Sequence, residues 1–114
     1  MYTAPKATPI LSLEDTRRFI DAYLENMSYE DRKSGQVSPA YNDLTGLCPA
    51  IFIIGTEDAL VDDSVLMHFR WLRGGNDAVL KFVPGAPHGF IVFDGAEVAE
   101  EGRKLLIEFI LQKV

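Results

Sequence analysis

The sequence carries one cysteine, Cys48, and two histidines, His68 and His88, among 114 residues. One thiol cannot close an intramolecular disulfide, and one thiol with two imidazoles cannot build a Cys-rich zinc site, so neither staple is expected to hold the fold. Cationic charge is scarce as well. Eleven Lys and Arg stand against 17 Asp and Glu, a net charge of −6, which repels phosphate backbones and anionic headgroups and argues against a nucleic-acid partner. No apolar run approaches the roughly 18 to 20 residues that a membrane-spanning helix needs. The N-terminus also lacks the basic-then-apolar order of a secretory signal, so the cytoplasm is the expected compartment. The length leaves room for one modest domain and excludes a two-domain enzyme. With 47% apolar and 25% charged residues, the composition is that of a globular chain able to bury a core.

The pattern along the chain alternates between helix and strand periods. Met1 to Pro9, with two prolines and no apolar period, reads as an extended arm. Ser12 and Asp15 have the spacing of a capping box, and Phe19, Ile20, Tyr23, Leu24 and Met27 recur at helical intervals, which predicts an amphipathic helix over 13–27. Residues 28 to 47 are rich in Ser, Gly, Asn, Asp and Pro and read as a loop, long enough to suggest that it drapes over something larger. Pro49 to Ile54 is a short apolar run ending at Gly55, the pattern of a strand buried on both faces. Asp62 or Asp63 can cap a helix over 63–73 with apolar positions Val65, Leu66, Phe69 and Leu72, stopped by Gly74-Gly75. Residues 79–83 give a second strand, closed by Pro84-Gly85-Ala86-Pro87. Asp94 with Glu97 caps a last helix over 95–112 with Val98, Leu105, Leu106, Phe109 and Ile110 on one face. The strand, helix, strand order makes a right-handed βαβ unit with parallel strands at 50–54 and 79–83. Two parallel strands alone lack the cover and neighbours that such a sheet needs.

Sites in open α/β sheets form beyond the carboxyl ends of the strands. The turn after the first strand, Gly55-Thr56-Glu57-Asp58, presents a carboxylate. The turn after the second leads to His88-Gly89-Phe90 and presents an imidazole. An Asp against one ring nitrogen fixes the histidine tautomer and stabilises the imidazolium formed when the other nitrogen takes a proton, which is half of a Ser-His-Asp triad. Asp58 and His88 are therefore expected within hydrogen-bond reach, roughly 2.6 to 3.2 Å. Other residues read as structural: His68 as a solvated helix residue, Cys48 as a small buried apolar one, Phe90, Trp71 and Phe93 as packing. Alternation in an extended turn would point Glu57 away from its neighbour Asp58, whereas burial of both would set the two carboxylates against each other.

The segment from Ser38-Pro39 to Phe90 resembles the C-terminal part of an α/β-hydrolase of the hormone-sensitive-lipase-like carboxylesterase group, the alpha/beta hydrolase fold-3 type. The resemblance rests on the lead-in Ser-Pro-Ala-Tyr-Asn-Asp-Leu-Thr-Gly-Leu-Cys-Pro-Ala at 38–50, and on Asp58-Ala59-Leu60-Val61-Asp62 in place of a D-P-L-x-D motif, with Ala59 where proline is usual. It rests also on His88-Gly89-Phe90 in place of an H-G-F motif, 30 residues beyond Asp58. It implies an α/β fold in which residues 1–47 form a cap-like helix and loop and 48–114 the last two strands and helices of a catalytic core. It implies an esterase acting on short to medium carboxylic esters, with Asp58 as the acid and His88 as the base, and with no cofactor or metal. The family's nucleophilic serine in G-x-S-x-G and its H-G-G-G-like oxyanion loop have no counterpart here, since Ser12, Ser28, Ser34, Ser38 and Ser64 all lack the flanking glycines. The sequence thus reads as a fragment holding acid and base without the nucleophile, inactive alone and inclined to self-associate or to dock with a missing half. A catalytically silent α/β interaction domain, and a serine peptidase or dienelactone hydrolase type of the same fold, are the alternatives.

Overall fold

The computed structural model describes residues 10–113; the extended arm expected for Met1 to Pro9 lies outside the described residues. The elements run α1 (Leu13–Tyr23), β1 (Ala50–Gly55), α2 (Val61–Arg73), β2 (Ala78–Val83) and α3 (Glu97–Lys113), with single 3₁₀ turns at Asp31–Lys33, Pro39–Tyr41 and Phe90–Val92. β1 and β2 pair in parallel, in register from Ala50 opposite Ala78 to Gly55 opposite Val83, so both strands end at the same edge.

Successive side chains of a strand face opposite ways, and each face of β1 has its own cover. Phe52 meets the rings of His68 and Trp71 of α2 edge-on, with centroids 5.9 and 6.0 Å apart. Ile53 faces the other way, into a cluster of Val83, Ala86 and Phe90 flanked by Ile91, Val98 and Leu105. α2 and α3 therefore sandwich the sheet. His68 is a half-buried packing residue and not the solvated one expected, because the helix turns its ring toward Phe52.

The capping box at Ser12 forms as the spacing requires: the Ser12 hydroxyl accepts from the Asp15 N–H at 3.1 Å and Asp15 accepts from the Ser12 N–H at 3.2 Å. The Ser12 hydroxyl also donates to Asp15 Oδ2 at 2.6 Å, and this bond first, the Ser12 N–H second, holds the Asp15 carboxyl below its ordinary value. Stability from this source is present above the ordinary Asp range and is lost as pH falls through the lowered value. The helix ends at Tyr23, four residues earlier than the apolar spacing suggests. Arg32 explains the stop: its guanidinium donates to the Leu24 and Met27 carbonyls and to Asp21, so the chain past Tyr23 turns around a cation. No residue of α1 is buried.

Four other expectations are corrected. α2 starts at Val61, with Leu60 at the N-cap and no side-chain cap, so Asp62 and Asp63 lie inside the first turn, where their charge complements the helix dipole. α3 starts at Glu97, leaving Asp94 outside the helix, 3.9 Å from Arg103. The inward stripe of α3 is Val98, Ala99, Gly102 and Leu105, whereas Leu106 and Ile110 are exposed. Small residues let the helix approach closely: a Cβ on Gly102 would lie 2.7 Å from the Phe90 ring. Cys48 is exposed, and it is its carbonyl that meets the protein, accepting from the Trp71 indole N–H at 3.0 Å.

The long loop is held from below by Asn76. Its amide donates to the Leu44 and Trp71 carbonyls and its oxygen accepts from the Leu47 N–H at 2.7 Å, so the segment entering β1 is tied to the segment entering β2.

Candidate functional site

Beyond Gly55 the chain cannot continue as a strand, because the Asp58 N–H turns back to the Gly55 carbonyl at 3.2 Å. That turn places the Asp58 side chain inside the protein, 3% exposed, while Glu57 faces solvent, so the two carboxylates point apart. A buried carboxylate needs donors. Asp58 Oδ1 accepts from the Leu60 N–H at 2.8 Å, and this Asx-type turn carries the chain directly into α2, which is why the helix starts earlier than its aspartates suggest.

Beyond Val83 the chain turns through Pro84 to Pro87, and His88 emerges beside Asp58. Gly89 takes a left-handed conformation, φ 68°, where a side chain is disfavoured. The reversal sends Phe90 into the core, 4% exposed, under Gly102 of α3. Arg103 also donates to the Ile91 carbonyl at 2.8 Å. The histidine thus sits on a turn pinned from behind by a buried phenyl ring.

The two turns bring the side chains together. His88 Nδ1 lies 3.0 Å from Asp58 Oδ2 and 3.2 Å from Oδ1, within the reach expected from the sequence. The ionised carboxylate only accepts, so Nδ1 carries the proton and donates it. Nε2 is then the basic nitrogen, and it makes no hydrogen bond among the described residues. The His88 side chain is 39% exposed against 3% for Asp58: the acid is sequestered and the base is reachable. A cavity of about 180 Å³ opens beside the pair, walled by Ile53, Ile54, Phe90 and Ile91. A deprotonated nucleophile generated at Nε2 would face an apolar surface. Among the described residues no three His, Cys, Asp or Glu side chains are grouped to hold a metal, and no helix is long and apolar enough to cross a membrane.

Sequence reasoning passed over the backbone that joins the two turns. Val83 O accepts from the Thr56 N–H at 3.2 Å, Ala86 O accepts from the Glu57 N–H at 3.1 Å, and the Thr56 hydroxyl accepts from the Gly85 N–H at 2.9 Å. The available signal was a glycine at the strand end followed by a hydroxyl residue two positions before the acid.

Residues 2–92 match the model of the alpha/beta hydrolase fold family. An acetyl-hydrolase from Streptomyces hygroscopicus is 31% identical over 106 residues, covering 92% of this chain and 34% of the relative. Among solved structures, the HSL-homolog EstE7 from a metagenome library is 26% identical with a TM-score of 0.80, over 89% of this chain and 34% of that one. A hormone-sensitive lipase, also from a metagenome library, is 27% identical with a TM-score of 0.78, over 87% of this chain and 33% of that one. The chain spans about a third of the length of these relatives. Family match, superposition and the strand, helix, strand core agree, and the chain belongs to the alpha/beta hydrolase fold family.

Proposed function

We propose that this chain contributes the acid and the base of a carboxylic ester hydrolase, with the nucleophilic serine and the oxyanion donors supplied by polypeptide other than these 114 residues. The observation that carries the reading is a buried carboxylate bonded to Nδ1 of a half-exposed histidine beside an apolar cavity. The esterase and lipase names of the similar structures support the reaction class. In this role Nε2 of His88 takes the proton of the serine hydroxyl as it attacks the ester carbonyl. Asp58 stabilises the imidazolium, and His88 returns the proton to the departing alkoxide. The walls this chain contributes, Ile53, Ile54, Phe90 and Ile91, are apolar, which suits the acyl chain of a carboxylic ester.

The test joins this chain, in place of the corresponding C-terminal third, to the serine-bearing part of a hormone-sensitive-lipase-type esterase. The chimera is expected to hydrolyse p-nitrophenyl butyrate and to react with a fluorophosphonate probe, and the 114-residue chain alone to do neither. Without preorganised donors the tetrahedral oxyanion is unstabilised, and each such donor is worth about 10² to 10³ in rate. A folded but inactive chimera overturns the reading. So does steady turnover by the chain alone that vanishes in His88→Ala, since a nucleophile would then lie within it.

The same reading assigns the chain a protein partner, either a second copy or the serine-bearing part. Among the described residues the sheet has two strands, so β1 presents an unpaired edge to any strand of suitable register. Val65, Leu66, Phe69 and Leu72 of α2 and Leu106, Ile107, Ile110 and Leu111 of α3 are exposed. Sedimentation equilibrium of the isolated chain at micromolar concentration is expected to show reversible association, with a thermal midpoint that rises with concentration. A monomer with a concentration-independent transition removes the self-association arm.

A further inference from the structure

The acid and the histidine sit on separate turns, two residues past Thr56 and two past Ala86 respectively. Their contact is only as exact as the tie between the turns. Two of the three ties are main-chain bonds at 3.2 and 3.1 Å that continue the strand pairing, and any residue but proline at 56 or 57 would make them. The third belongs to one side chain. The Thr56 hydroxyl accepts from the Gly85 N–H at 2.9 Å. Apart from the Asp58–His88 contact, it is the side-chain hydrogen bond that joins the two turns among the described residues. Gly85 is the left-handed residue of the second turn, φ 71°, and its peptide orientation sets the path of Ala86 and Pro87 into His88.

We propose that Thr56 is a positioning residue for the Asp58–His88 pair: its hydroxyl anchors the left-handed Gly85 peptide and so holds the imidazole at hydrogen-bond distance from the buried carboxylate. This rests on the catalytic reading of that pair and adds to it a residue that touches neither partner. Valine at 56 keeps the volume and β-branching of threonine and removes only the acceptor. The Gly85 N–H is exposed enough for water to satisfy it, so the fold survives. Water, however, does not tie one turn to the other. Misplacements of about 1 Å are enough to spoil such a geometry.

The experiment uses the chain itself and reads the two imidazoles by ¹⁵N-edited NMR at neutral pH. His68, packed on Phe52, is an internal reference for the fold. In the unmodified chain His88 is expected to carry its proton on Nδ1 and to exchange it slowly with solvent. Thr56→Val is expected to speed that exchange about tenfold, the factor that goes with one lost neutral hydrogen bond, and to mix the tautomers, with the His68 signals unchanged. Thr56→Ser, which keeps the acceptor, is expected to restore slow exchange. If the unmodified chain lacks a bonded Nδ1 proton, the catalytic reading fails first. If Thr56→Val leaves His88 as it was, or Thr56→Ser does not restore it, the catalytic reading stands and the role of Thr56 is overturned. A Thr56→Val chain that also loses the His68 signals overturns it too, since the residue then supports the fold at large.

Discussion

Gly55→Ala is expected to separate the two functional turns and to cost this small domain a large share of its stability. A Cβ at position 55 would lie 1.9 Å from the Ala86 carbonyl oxygen and 2.5 Å from its carbon. Both atoms are backbone, so no side-chain rotation relieves the overlap. The turn that carries Ala86 would have to draw back from the end of β1 by roughly 1.5 Å to reach an ordinary contact, and the oxygen pushed away is the one that accepts from the Glu57 N–H. Overpacking of this kind costs about 1–3 kcal/mol, sometimes more, against a total of about 5–15 kcal/mol for a typical domain. The urea midpoint is expected to fall with an unchanged slope, and the Nδ1 proton of His88 to exchange faster even where the variant is fully folded. An unaltered midpoint would mean that the backbones do not meet at this point.

The close approach at Gly55 also marks the limit of what the sequence discloses. β1 is legible because Ile51 to Ile54 is a short apolar run between Pro49 and Gly55, β2 because Val79 to Val83 is apolar but for Lys81 and is closed by Pro84-Gly85, and helix 61–73 because its apolar residues recur at three and four before a Gly-Gly stop. Asp58 and His88 were legible as a pair because both follow parallel strands, where an α/β sheet gathers its site, and because the motifs around them resemble those of a known family. Element ends were misplaced where a side chain far along the chain decides them. Arg32 turns the chain past the end of α1 by taking the Leu24 and Met27 carbonyls, and nothing in a local window discloses which guanidinium will do so. The Leu60 N–H bound by Asp58 starts α2 ahead of the aspartates that looked like its caps. Asn76, isolated between a Gly-Gly stop and a strand, reads as a turn residue, yet its amide binds groups 32 and 29 residues earlier. The inward stripe of α3 departs from its large apolar residues because Ala99 and Gly102 are buried for being small.

Asp58→Asn in the esterase chimera is expected to lower kcat/KM on p-nitrophenyl butyrate by about 10⁴, the loss that the same exchange brings in a Ser-His-Asp protease, while leaving the fold in place. The direction follows from the two oxygens of Asp58. Oδ1 accepts from the Leu60 N–H at 2.8 Å, and Oδ2, 3.0 Å from His88 Nδ1, has no other partner among the described residues. An asparagine must keep its oxygen on Leu60, because an amide NH₂ facing that N–H would leave two donors opposed in a buried site. Its NH₂ then faces Nδ1, which has to accept, and the ring proton moves to Nε2. A histidine in that tautomer offers a proton where a lone pair is needed and cannot take one from serine. The tautomer is readable independently of activity, as the ¹⁵N shifts of His88 in the isolated Asp58→Asn chain, with Nε2–H expected in place of Nδ1–H. A loss of less than about tenfold, with the Nδ1–H form retained, would show that Asp58 does not orient His88 for catalysis.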